Sequence, residues 1–200
     1  IHMPMQPVSN IKIEEGGLTL GLSEAQVNER VKKAKSIVSN AIGMNNHMGS
    51  AATADATLMT YLMTALSEQH LFFLDSRTIG KSVAGKIAKE QGVRVLDRHV
   101  FLDDSDNLAD VQRQFQSAIQ YARKHGTAIA IGHPRPNTVA VLKAGIKNLP
   151  DDIQLVSMGS LWRNEKILPP KPFILIFNDI PAPTSVAPFE PIPLLRGVPR

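Results

Sequence analysis

None of the 200 residues is cysteine. That removes thiol nucleophiles, thiolate metal ligands and disulfides together, and leaves His, Asp, Glu and Ser for any chemistry. Uninterrupted apolar runs of the roughly 18 residues that a membrane-spanning helix needs are also missing. There is no strip of one charge: 22 Lys and Arg stand against 18 Asp and Glu, a formal net charge of +4. The basic residues are scattered without interleaved aromatics, which excludes nucleic acid as the default partner. The amino terminus has neither a basic segment leading into an apolar stretch nor an initiator position. A start at Ile1-His2-Met3 leads us to expect a piece of a longer chain.

At 43% hydrophobic and 20% charged residues, the composition is that of an ordinary globular protein. A chain of this length buries a core without needing a metal to fold, so any bound metal is expected to serve chemistry. Ser23 followed by Gln26 forms a capping-box pattern, and Val27, Val31, Ala34, Ile37 and Val38 recur at helical spacing, which predicts a helix over 23–40. A second helix is expected from Thr53 or Asp55 to Gln69 or His70, with Leu58, Leu62, Met63 and Leu66 on one face. Leu71 to Leu74 reads as a buried strand, 81–91 as a helix and Val93 to Leu96 as a strand. Ala109 to His125 reads as a long helix stopped by Gly126, and Thr127 to Ile131 as a strand. Asn137 is expected to cap a helix to about Lys147, and Ile153 to Val156 to form a last strand.

This alternation predicts an α/β fold with mostly parallel strands, open or rolled into a partial barrel, with sites at strand carboxyl ends. Beyond Leu168 the character changes: 9 of the 14 prolines fall between Pro169 and Arg200. We therefore expect a domain over 1–168 and a Pro-rich extended tail over 169–200. There is no internal repeat, P-loop or dinucleotide fingerprint.

Four segments place ionisable groups where apolar runs end. Gly43-Met44-Asn45-Asn46-His47-Met48-Gly49-Ser50 sets a histidine among amides and glycines. His47 is read as a metal ligand or oxygen-polarising group held by Asn45 and Asn46, against a loop histidine capping the next helix. Asp75, before Ser76-Arg77-Thr78, suits a base or orienting acceptor, against an ion pair or helix cap. His133, between Gly132 and Pro134, suits a general acid or base, against an exposed turn residue. His2 precedes Met3-Pro4-Met5, with terminal disorder as the alternative. Asp103, Asp104 and Asp106 are read as a cation site or as a solvated loop capping the helix near 108. His70, His99 and His125 are read as structural.

In order, His2-Met-Pro-Met, Asn45-Asn-His-Met-Gly-Ser50, Phe73-Leu-Asp-Ser76, His99-Val-Phe-Leu-Asp-Asp104 and Ala130-Ile-Gly-His-Pro134 resemble the divergent polysaccharide deacetylases of bacteria, over about residues 1–160. The resemblance implies the NodB-related carbohydrate esterase fold, a distorted (β/α) barrel holding a divalent metal, usually zinc. It implies that His2 and His47 bind the metal, that His133 protonates the leaving amine and that Asp75 orients or charge-balances its neighbours. The family's Asp-Asp pair would lie before His2, outside this chain. Gln6 stands where related enzymes have the second histidine of a His-x-x-x-His pair. The implied activity is N-deacetylation of an amino-sugar polysaccharide or peptidoglycan in the periplasm or cell envelope. The alternatives are a catalytically degenerate glycan-binding or cell-envelope scaffold, and an amidase acting on non-sugar amides.

Overall fold

Helix boundaries follow from caps that the side chains supply. The computed structural model describes residues 1–165. In it Ser23 accepts from the Gln26 amide while its own amide donates to Gln26 Oε1 at 2.9 Å, the reciprocal box that starts α1 (Glu24–Ile37). Asp55 Oδ1 takes the Leu58 amide at 2.7 Å and starts α2 (Ala56–Glu68), after a single 3₁₀ turn at Ala52–Ala54. Farther on, α3 (Ala84–Glu90) is short, and α4 (Leu108–His125) runs from Asn107 to Gly126 at φ 81°. Pro136 occupies the first turn of α5 (Pro136–Lys147). Its fixed φ begins this helix at residue 136. Asn137 is therefore inside the helix, not its cap, and its Nδ2 donates instead to the Asp106 carbonyl at 2.8 Å.

Strands β1 (His2–Met5), β2 (Gly43–Met48), β3 (Phe72–Asp75) and β4 (Val95–Asp97) form one parallel sheet in sequential order. A second parallel pair, β5 (Val100–Phe101) with β6 (Ala130–Ile131), follows. The Arg98 amide bonds the Asp75 carbonyl at 2.9 Å where one sheet gives way to the other. The fold is thus mixed α/β with parallel strands, in two sheets among the described residues.

Alternation along β1 to β3 gives the four-stranded sheet two unlike faces. Met3, Met5, Met44 and Phe73 are buried and join a core with Val27 and Val31 of α1 and Leu58, Met59, Leu62, Met63 and Leu66 of α2. On the other face His2, Pro4, Asn45, His47 and Leu74 are half-buried or exposed. This open face is where the chemistry collects.

Two alternative readings and one further expectation are corrected. The terminal disorder weighed for His2 is overturned, since it is paired in β1, opposite Asn45. Residues 43–48 form a strand, not a loop; their polarity belongs to the open face and to Asn46, which is buried with its amide satisfied. Ile153 to Val156 is no strand. An Ile153 N–H bond to the Pro150 carbonyl turns the chain instead, and α6 (Met158–Arg163) follows, capped by Ser157. The Pro-rich tail expected from residue 169 lies outside the described residues.

Candidate functional site

The parallel register sets Pro4 opposite His47 and His2 opposite Asn45, so both histidines rise from the open face. His2 Nε2 lies 3.0 Å from His47 Nδ1, the rings meeting edge to face at 4.8 Å. Burial holds the His2 pKa below the usual histidine value. The nearby His47, His133 and terminal ammonium push the same way, against a hydrogen bond to Asn45. A neutral ring is the form that ligates a metal.

Backbone geometry after His47 is unusual and well held. Met48 has φ 51°, a left-handed conformation that side chains other than Gly rarely adopt. Its carbonyl accepts from Asn46 Nδ2 at 2.7 Å and Thr78 Oγ1 at 2.9 Å. Asn46 Oδ1 in turn takes the Ser76 amide, and Ser76 Oγ donates to the Asn46 carbonyl, both at 2.8 Å. The amides expected to hold His47 directly act otherwise: Asn46 locks the strand end, and Asn45 bonds Ser76 Oγ at 3.0 Å while meeting His2.

His133 follows β6, where Gly132 lets the chain pass Leu102 and Thr138 closely: a Cβ there would sit 3.2 and 3.1 Å from them. The His133 amide donates to Asp103 Oδ2 at 2.7 Å, and His133 Nδ1 lies 3.1 Å from Asp103 Oδ1. Thr138 Oγ1 adds a third bond at 3.0 Å. Burial opposes charge on Asp103, which is 1% exposed, but these bonds outweigh it and hold the carboxyl below the ordinary carboxylate range. The His133 side chain stays about half exposed, its ring against the Phe101 ring at 5.6 Å.

Asp75 is elsewhere. It follows the alternation of Phe73 to the helix-covered side and is fully buried, accepting from the Arg77 amide at 2.7 Å and Ser82 Oγ at 2.6 Å. Its charge supports Arg98, whose guanidinium bonds the Ser76 and Arg77 carbonyls. Asp75 thus charge-balances a neighbour, while the carboxylate that meets His133 is Asp103. That partnership was not read from the sequence. Its signal was Asp103 at the end of the apolar run Val100-Phe101-Leu102, matching His133 just past the apolar run 129–131 and Gly132.

Two imidazole nitrogens 3.0 Å apart suit adjacent corners of a zinc site, whose Zn–N bonds run about 2.0–2.1 Å. The donor chemistry fits, but among the described residues no group of three His, Cys, Asp or Glu converges. Glu14 Oε1 stands 3.8 Å from the outer nitrogen of His47. Glu14 also lines a polar groove of roughly 500 Å³ with Gln6, Lys12 and Arg30.

Residues 1–162 match the family described as divergent polysaccharide deacetylase. An uncharacterized protein of Haemophilus influenzae is 78% identical over 200 residues, covering this whole chain and 71% of that protein. The uncharacterized protein YibQ of Escherichia coli is 44% identical over 174 residues, 86% of this chain and 54% of that one. The chain therefore spans little more than half of the latter. A crystal structure of the uncharacterized protein ATU2773 from Agrobacterium tumefaciens superposes with a TM-score of 0.70 at 21% identity, over 73% of this chain and 60% of that one, a likeness of fold. The chain belongs to the divergent polysaccharide deacetylase family.

Proposed function

We propose that the protein hydrolyses N-acetyl amides on an amino-sugar polymer, a polysaccharide or peptidoglycan of the cell envelope. His133 gives the proton to the leaving amine, and His2 and His47 hold a divalent metal, zinc by preference. The observation that carries this reading is the buried Asp103 behind a half-exposed His133. Asp103 accepts from the ring at Nδ1 and leaves Nε2 as the nitrogen free to exchange a proton with substrate, as a general acid or base requires. A divalent metal, when bound, would polarise the acetyl carbonyl and acidify a water. His2 is exposed and His47 half-buried on that face, so the acetamido group has access to them. The third donor and the base would come from outside the described residues. Asp75 acts indirectly, charge-balancing Arg98. We further propose that the two parallel sheets are arcs of a distorted (β/α) barrel, and that the protein works in the periplasm or envelope, where such polymers lie. No helix among the described residues is long and apolar enough to cross a membrane.

Purified protein supplied with zinc, cobalt or manganese is expected to release acetate from chitooligosaccharide or peptidoglycan. His133→Ala should slow release by about 10²–10⁴-fold without changing metal content. Absence of acetate release with every metal would sink the hydrolytic reading.

That no third donor converges on the histidine pair among the described residues favours one rival, a degenerate glycan-binding scaffold. Glycan binding that survives both His47→Ala and His133→Ala, with no hydrolysis, would select it.

A further inference from the structure

We propose that Arg135 is a specificity residue of the His133 site: its guanidinium takes a carboxylate carried by the glycan, so the preferred substrate is an acidic amino-sugar polymer and not a neutral one. The inference rests on the hydrolytic reading of that site and narrows its substrate class.

Asp103 fixes both groups. Its carboxylate holds the His133 amide and ring, and its main-chain carbonyl accepts from Arg135 Nη1 at 2.8 Å. The guanidinium is therefore anchored to the residue that orients the general acid, just past the carboxyl ends of β5 and β6. The backbone between arginine and histidine has little freedom. Pro134 and Pro136 enclose Arg135, whose own amide donates to the His133 carbonyl at 2.8 Å. A residue before proline is driven to extended backbone, and Arg135 has φ −77° and ψ 153°. The fixed φ of each proline and this turn hold the two residues in one relation to each other.

Arg135 is partly buried, yet among the described residues no carboxylate lies within 4.0 Å of its guanidinium. The Asp103 carboxylate is spent on His133 and Thr138. A second guanidinium, that of Arg98, lies over the Phe101 ring at 5.1 Å, and the same ring meets His133 edge to face. Arg98 has Asp75 to balance it, whereas Arg135 has no such partner among the described residues. Only one of its N–H donors is taken, by the Asp103 carbonyl. A cation drawn partly out of water with its other donors open is matched by a carboxylate, which a guanidinium grips through two parallel bonds. A carboxylate on the sugar carbon next to the acetamido-bearing one, as in the lactyl ether of peptidoglycan, stands close to the nitrogen that His133 protonates. One sugar thereby meets both residues.

The test supplies purified protein and zinc with peptide-free glycan strands that expose lactyl carboxylates, and with the same strands after those carboxyls are converted to methylamides. Wild type should deacetylate the carboxylate strands with a kcat/KM about 10- to 100-fold above the methylamide strands, the range of a charged hydrogen-bonded contact. Arg135→Gln should remove that preference, chiefly through a higher KM on the carboxylate strands. Arg135→Lys, which keeps the charge but not the fork, should retain part of it and serves if the glutamine variant folds poorly. Equal kcat/KM for both strands in wild type, or a full preference in either variant, would overturn the inference. If neither strand is deacetylated with any metal, the hydrolytic reading falls, and calorimetric binding of the same strands decides the inference by itself. Tighter binding of the carboxylate form that Arg135→Gln abolishes upholds it; equal binding of the two forms overturns it.

Discussion

Asp103 shows how much one buried carboxylate decides. It takes the His133 amide, the His133 ring and the Thr138 hydroxyl, and those bonds keep it ionised despite burial. Its pKa is lowered on folding, so the charged group stabilises the protein above the unfolded carboxyl value of about 4, and that stability is lost as pH falls through the lower folded value. Asp103→Asn is expected to lose about 1–3 kcal/mol at pH 7, since a polar partner is weakened in a buried site. It should also unfold with a flatter pH dependence below about 4, as thermal melts across pH would report. In the sequence, Asp103 sits among Asp103, Asp104 and Asp106, and local pattern cannot tell which turns inward. Only the contact with β6 does.

At the scale of elements, the join between β5 and β6 depends on a histidine read as merely structural. His99 donates its amide to the Ile129 carbonyl at 2.8 Å and accepts the Ile129 amide on Nδ1 at 2.9 Å. Its ring stacks on Tyr121, which meets the His125 ring at a tilt. Burial lowers its pKa, with His125 and Arg77 adding to the effect against Asp97. Neutral His99 therefore contributes stability that is complete above about pH 6.5 and lost as pH falls toward its lower folded value; His2 shifts the same way. The urea midpoint should decline from pH 6.5 to 5, and His99→Gln should flatten that decline. Helix packing offers a second check. A Cβ at Gly145 of α5 would overlap the Phe115 ring of α4, whereas Gly85 in α3 faces open space. Gly145→Ala should cost about 1–3 kcal/mol by overpacking. Gly85→Ala should stabilise by about 0.5–1 kcal/mol through helix propensity, both read from denaturant unfolding.

For the molecule as a whole, a ligand that binds only the folded chain stabilises it by mass action, about 2.7 kcal/mol at a hundredfold excess over its Kd. Zinc should therefore raise Tm in the wild type, chelator should reverse the rise, and His2→Ala with His47→Ala should abolish it. An unchanged Tm would favour the scaffold reading. What the sequence determined by itself is local: the Ser23 and Asp55 caps, the stop at Gly126, the α/β alternation, and the histidines at positions 2, 47 and 133. Caps and periodicity act within one or two turns, so they are legible without the fold. Tertiary structure alone decided that histidines 45 positions apart stand 3.0 Å from each other, that residues 43–48 form a strand, and that Asp103 and not Asp75 backs His133. These are matters of strand register and of which face is buried. Both are set by packing against α1 and α2 and by pairing between distant segments, which no local pattern encodes.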